Sequence, residues 1–546
     1  MTKTVHVDTF ARDHLPPKGA WPEMDFTLPE LHYHKRVNCA HRLLDRHIKE
    51  GHGDRRCILA PGVQWSYADL QRKANQIARV LVEDLGIVAG NRVLLRAPNS
   101  PMLAACWFAV IKAGAIAVTT MPLYRSGELQ YMIEKARVRH ALCDARLSNE
   151  LREAIGDDDS FRVMYFNGDS GESLERRMES KDAAFENADT SAEEVALIGF
   201  TSGTTGKPKA AMHFHRDVLA ICDSYATHVL QANAHDVFCG SPPLGFTFGL
   251  GGLLLFPLHA GAATILLERA GPQQLLDAIE HYRCTVVFTA PIAYRAMTEL
   301  VPDYDVSSLR KCVSAGETLP LPTWEGWHER CGIKIMDGIG STEMLHIFIG
   351  SPEDRIVAGS TGQAVPGYVA QIHDDDGNPL PPNTVGRLAV KGPTGCRYLD
   401  DDRQATYVQN GWNYPGDAYR MDERGYFWYV ARTDDMIISA GYNISGPEVE
   451  QALLAHTQVK ECAVVGKPDA QHGTHIVKAY VVLSEMVADE DAKSLELIEF
   501  VKARIAPYKA PREIEFVAAL PRTETGKVQR FRLREKAATE KASTAP

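Results

Sequence analysis

The residues best suited to chemistry form one run of small and hydroxylated residues closed by lysines. It comprises Thr201, Ser202, Gly203, Thr204, Thr205, Gly206 and Lys207, and continues through Pro208 to Lys209. Backbone N–H groups and hydroxyls without bulk, next to two ammonium charges, suit a polyphosphate. The run is not a Walker A loop. Two residues separate Gly203 from Gly206, where that loop has four, and Pro208 stands where it needs Ser or Thr.

Other stretches have weaker individual signals. Asp337-Gly338-Ile339-Gly340-Ser341-Thr342-Glu343 is expected just after a strand at 333–336, and a carboxylate beside small residues can hold Mg²⁺ near phosphates. Ser314-Ala315-Gly316-Glu317 follows the apolar run 311–313, and α/β folds bind ligands at the C-terminal ends of parallel strands. Asp417 offers two acceptor oxygens to a diol, and Arg432 a planar fork of donors. Gly441 permits close approach of a ligand or of backbone. Between Lys502 and Lys536 there are ten Lys/Arg and four acids. Read alone, each of these is equally an ordinary turn or a solvated face.

Elements able to position these residues recur along most of the chain. Apolar runs at 92–97, 115–120, 140–145, 264–268, 284–290 and 311–316 alternate with amphipathic helical patterns such as Tyr67–Leu85 and Gly127–Lys135. That spacing is of βαβ units, hence an α/β body with mostly parallel sheets. After about residue 350 the texture becomes strand–turn–strand, with Asp376-Gly377 as a hairpin signal. A smaller unit follows, with a helix at 447–455, strands at 461–466 and 477–484, a helix at 492–505 and a basic tail. The stretch Val237–Leu267 has no charged residue, but its prolines and glycines divide it into a loop, a buried helix, a turn and a strand rather than a membrane span.

Composition narrows the classes. The 546 residues are 45% hydrophobic and 24% charged, which excludes a disordered or collagen-like chain. A net charge of −11 without a long basic block argues against general nucleic-acid binding. Eleven scattered cysteines without a C-x-x-C fit buried thiols in a reducing, cytoplasmic setting, and the N-terminus has no apolar signal run. The pairs His32/His34, His213/His215 and His472/His475 have no third ligand nearby in sequence, so no metal is assigned to them.

In their order and spacing these motifs resemble the acyl-adenylate-forming ligases, over residues 35 to 535, and within them the benzoate- and 2-aminobenzoate-type CoA ligases. The resemblance implies a large N-terminal domain, 1–433, of parallel-sheet α/β subdomains plus a small β-barrel-like subdomain, and a small mobile α+β C-terminal domain, 434–546, hinged at Asp434. It implies ATP, Mg²⁺ and coenzyme A as cofactors and a small aromatic carboxylate as substrate. It is compatible with a homodimer.

The resemblance also carries roles. Thr201–Lys207 would hold ATP phosphates, Thr342 a phosphate and Glu343 the metal. Ala315, Gly316, Glu317, Asp337, Gly338, Ile339, Gly340 and Ser341 would surround the nucleotide, and Asp417 and Arg432 its ribose. Ile339 replaces the family's usual aromatic residue. Lys527, in Pro521-Arg522-Thr523-Glu524-Thr525-Gly526-Lys527, would bridge the substrate carboxylate and the α-phosphate. Phe246, Thr247, Phe248, Ala315, Ile339 and His346 would wall the acyl pocket, and Ser439, Ala440, Gly441 and Tyr442 would line the CoA tunnel, with Ile438 where many members have lysine. The expected reaction is formation of an aryl-adenylate, then of an aryl-CoA thioester. Alternatives are a medium-chain fatty acyl-CoA ligase, an aryl-acid adenylating enzyme loading a separate carrier protein, and a nucleotide sensor. About 20 residues follow Lys527, too few for a carrier domain.

Overall fold

The structure, a computed structural model, describes residues 4–168, 172–201, 208–432, 435–439, 442–469, 474–485, 487–505, 507–523 and 526–539. Asp434, Ala440, Gly441 and the run Ser202–Lys207 lie outside them.

The alternating strands and helices assemble into two large sheets. In the first, Arg162–Phe166, His140–Asp144, Arg92–Arg96, Ile116–Thr120 and Val195–Phe200 are parallel neighbours, and Ala210–Phe214 pairs antiparallel at the edge. The second sheet has nine strands. Ile335–Gly340, Lys311–Ala315, Val286–Thr289, Val237–Gly240, Ala263–Ile265 and Arg56–Ala60 run parallel in that spatial order. Antiparallel Ile347–Gly350 with Gln363–Ala364 closes one side, and Val63–Ser66 the other. Parallel strands covered on both faces are near-continuous apolar runs, as the fully buried Val195–Phe200 is.

The texture change after residue 350 is a third, antiparallel sheet of six strands, from Val369–His373 to Phe427–Arg432. Asp376-Gly377 does make a turn, closed by Asp374 N to Asn378 O at 2.9 Å, with Gly377 at φ +87°. The partner strand begins only at Val385, so the connection is longer than a tight hairpin.

The C-terminal unit has a hairpin, Ile437–Ser439 with Tyr442–Ile444, and a three-stranded sheet, Val459–Asp469, Thr474–Leu483 and Glu513–Phe516. Helices Gly446–Leu454, Glu490–Lys502 and Arg530–Thr539 accompany them. Its two apolar clusters draw, among the described residues, only on positions 437–537, and the clusters of the larger part stop at Tyr429.

The uncharged stretch resolves into the strand Val237–Gly240, a helical passage over 247–260 with a π-helical turn at Gly251–Leu255, and the strand Ala263–Ile265. No helix of the described residues is long and apolar enough to cross a membrane.

Another apolar helix, Pro101–Lys112, starts at the Ser100 side chain, which accepts from Leu103 N at 3.2 Å. It is buried on nearly all sides and ends on Lys112, whose side chain is 1% exposed. The ammonium lies 2.5 Å from Asp45, whose carboxylate also accepts from Gln71 and Asn187. Removing one partner of a buried pair strands the other charge. Asp45→Ala should therefore cost about 3–5 kcal/mol in urea unfolding. A loss below about 1 kcal/mol, the scale of an exposed pair, would contradict this.

Candidate active site

A cavity of about 920 Å³ opens where the C-terminal ends of strands from both large sheets meet the third sheet and the C-terminal unit. Its volume is that of a sizeable small-molecule site. Most of the sequence-assigned nucleotide residues line it: Thr201, Gly316, Glu317, Asp337 through Glu343, Asp417, Arg432 and Lys527.

The first sheet supplies the phosphate run's two ends. Thr201 N donates to Lys209 O at 2.9 Å, and Lys209 N to Thr201 Oγ1 at 3.2 Å, so the run leaves and rejoins the sheet between paired residues. Ser202, Gly203, Thr204, Thr205, Gly206 and Lys207 themselves lie outside the described residues. Lys209 Nζ reaches Glu343 Oε1 at 3.2 Å, and its ammonium sits over the rings of Tyr398 and Tyr407, 4.9 and 5.7 Å from their centroids. The Tyr398 hydroxyl donates to the same Glu343 oxygen, and burial with that carboxylate keeps the phenol protonated.

The second sheet contributes Asp337–Gly340, which lies inside the strand Ile335–Gly340 and not in a loop after it. The strand extends because Ile347–Gly350 folds back on it, pairing Gly338 with Gly350 and Ile339 with Ile349. Asp337 is half-buried, but its Oδ1 is fully enclosed and has no partner among the described residues. Burial lifts its carboxyl well above the usual range. Beyond the strand, Ser341 Oγ meets the Tyr407 hydroxyl at 3.0 Å and accepts from Met344 N at 3.1 Å. The Thr342 carbonyl accepts from His213 Nε2 at 2.8 Å. Burial pushes His213 down to about 4, so it is neutral near pH 7.

The third sheet pairs Asp417 with Arg432 across two neighbouring strands, Nη1 to carboxylate 3.3 Å, and Arg432 also donates to Pro415 O at 2.9 Å. The C-terminal unit adds Lys527 on a turn in which Thr523 N donates to Lys527 O at 2.7 Å and Gly526 takes φ +89°. A β-carbon on Gly316 would stand 3.9 Å from Lys527 Cε, so the lysine lies against that glycine. Its side chain keeps accessible surface within the cavity although protein surrounds it. That enclosure lowers its pKa, and Glu317 and Asp417 oppose the shift. Arg522 binds Glu461 at 2.7 Å and approaches Glu317 at 4.0 Å, fixing the turn at both sides.

The assigned acyl wall is only partly at the cavity. Ile339 lines it; Phe246, Thr247, Phe248, Ala315 and His346 are not among the lining residues. Phe248 and His346 instead pack together, centroids 5.7 Å apart, within a cluster including Phe256, Phe288 and Tyr225. Burial drops His346 to about 3. Ser439 pairs with Tyr442 in the small hairpin, and Ser439 is not among the described residues that line the cavity. Lys209, Tyr398, Tyr407 and His213 were not assigned as individual site residues. Lys209 had a signal in its lysine after Pro208; the others have none in local sequence.

Asp337 yields a test. A folded carboxyl with a raised pKa binds more protons than the unfolded one, so stability falls as pH rises above the unfolded value of about 4. The stability of wild type relative to Asp337→Asn should decline between pH 4 and 8 in urea titrations. Parallel curves would contradict the raised value.

Residues 44–397 match the family model for the AMP-binding enzyme, and 448–527 that for the AMP-binding enzyme C-terminal domain. The chain is 32% identical to benzoate–CoA ligase of Thauera aromatica, over 93% of this chain and 98% of that one. Among solved structures it resembles the anthranilate CoA ligase AuaEII in complex with anthranoyl-AMP, at TM-score 0.88 and 30% identity, over 93% and 99% of the two chains. It also resembles a benzoate CoA ligase from Burkholderia xenovorans LB400, at TM-score 0.83 and 30% identity, over 91% and 100%. With both domain matches and this cover, the chain belongs to the family of AMP-binding enzymes.

Proposed function

We propose that this chain is an ATP-dependent acid–CoA ligase for an aromatic carboxylate, 2-aminobenzoate or benzoate. The observation that carries the reading is the placement of Lys527, from the small C-terminal unit, in one cavity with Glu343, Asp417 and Lys209. A carboxylate is a poor electrophile. Its oxygen attacks the α-phosphorus of ATP, the bond to the β-phosphate oxygen breaks, and pyrophosphate leaves. The CoA sulfur then attacks the acyl carbon, the bond to AMP breaks, and the thiol proton passes to solvent. Charge builds on the α-phosphoryl oxygens in the first step, where a positioned ammonium is most effective.

In this reading Lys527 steadies the reacting centre, and Thr201–Lys209 takes the leaving pyrophosphate. Asp337 with Gly316 and Glu317 receives the base, and Asp417 with Arg432 the ribose. Asp337, half-buried at the cavity wall, fits beside a hydrogen-bonding base edge. Glu343, already facing an ammonium, fits a divalent cation, and Mg²⁺ there would supply positive charge to the phosphate oxygens. Residues 434–546 would turn about Asp434 as a unit, bringing Ser439, Ala440, Gly441 and Tyr442 to the acyl-adenylate. The separate apolar clusters of the two parts support that division.

The named benzoate and anthranilate ligases support an aryl substrate. We favour 2-aminobenzoate because Thr247 would offer its hydroxyl to an ortho amino group. Three acids decide the class: benzoate, 2-aminobenzoate and a medium-chain fatty acid, with pyrophosphate release and CoA consumption measured. Release without CoA consumption would indicate a carrier-protein acceptor. The expected kcat/KM for 2-aminobenzoate exceeds that for benzoate, and Thr247→Ala should narrow the ratio; an unchanged ratio overturns that assignment. Lys527→Ala should slow adenylation sharply and spare thioester formation from supplied aryl-adenylate. Equal loss in both half-reactions would count against its role.

A further inference from the structure

The edge strand Ala210–Phe214 does more than close the phosphate run. Side chains alternate along a strand, so Lys209, Ala211 and His213 share one side. The outer two reach consecutive residues of another sheet's loop: Lys209 Nζ the Glu343 carboxylate at 3.2 Å, and His213 Nε2 the Thr342 carbonyl at 2.8 Å. A carbonyl only accepts, so Nε2 carries the proton, and Nδ1 has no partner among the described residues. His213 is fully buried. On the adjacent strand, opposite Ala211, a β-carbon at Gly199 would stand 2.9 Å from Thr342 Cγ2. Thr342 is thus confined between a glycine and the bonds its carbonyl accepts, from His213 Nε2 and from Leu345 N at 3.1 Å; of the two donors, only His213 belongs to another element.

We propose that His213 is a positioning residue for adenylation. The bond from its Nε2 to the Thr342 carbonyl sets the Thr342–Glu343 turn at the angle from which the threonine hydroxyl and the carboxylate meet the phosphates and their cation. The inference rests on the ligase reading above. Such supporting contacts around a metal-binding group are worth about 10- to 100-fold in metal affinity or activity.

The test compares His213→Gln, whose amide nitrogen can stand where Nε2 stands, with His213→Asn and His213→Met, which put no donor there. Met matches Gln in length, so it still decides the matter if the Asn variant does not fold. Mg²⁺ is titrated in pyrophosphate release, and thioester formation from supplied aryl-adenylate is measured in parallel. The donor-less variants should raise the half-maximal Mg²⁺ or lower the adenylation rate about 10- to 100-fold, with the thioester step unchanged, and Gln should recover most of the loss. Equal behaviour of Gln and Met, or equal loss in both half-reactions, overturns the inference while leaving the ligase reading intact. No pyrophosphate from wild type with any acid overturns both.

Discussion

One carboxylate ties three sheets together. Glu343 follows a strand of the second sheet, accepts from the Lys209 ammonium carried by the first, and accepts from the Tyr398 hydroxyl in the connection between two strands of the third. The side chain is nearly buried, so both contacts act at low dielectric, where an unpaired carboxylate would be costly. The same partners keep the carboxylate available. An ammonium at 3.2 Å and a phenol are replaceable by a cation, whereas a bidentate guanidinium would compete with it.

The boundary between the two cores is polar. Arg522 faces Glu317 across it, and Arg295 donates to the carbonyls of Val459 and Lys460, the former at 3.1 Å. Such contacts exchange readily for water, and buried apolar surface does not. Apolar packing lies within each part: Leu497, Val501 and Val481 on one side, Trp327, Tyr294 and Ile279 on the other. The interface therefore has little apolar surface to hold it shut.

Much of this was legible in the sequence where the signal was local. The helices from Tyr67 and Ser126, the parallel strands and the order of motifs follow from periodicity and turn residues. The cavity residues were also legible, because small residues at strand ends mark where a ligand can approach. What was not legible depends on contacts far along the chain. Asp337–Gly340 read as a loop because its glycines weaken a strand, yet pairing with Ile347–Gly350 overrides that tendency. Tyr398 carries no mark of its hydrogen bond to Glu343, 55 positions away. That Phe248 and His346 also face each other depends on a contact some hundred positions apart, which no local pattern marks.

The second sheet also has an order of assembly built into it. Arg56–Ala60 and Val63–Ser66 come early in the chain, but the strand that pairs beside them, Ala263–Ile265, is some two hundred residues later. All six strands of the first sheet lie between. During synthesis the first sheet can therefore close while the early pair is still a two-stranded ribbon, too small to be stable alone. Its parallel partner is also the last piece of the uncharged stretch. The uncharged stretch and this distant pairing thus emerge together, and the interval between synthesis of the early pair and of Ala263–Ile265 is when this protein most needs protection from association with other chains.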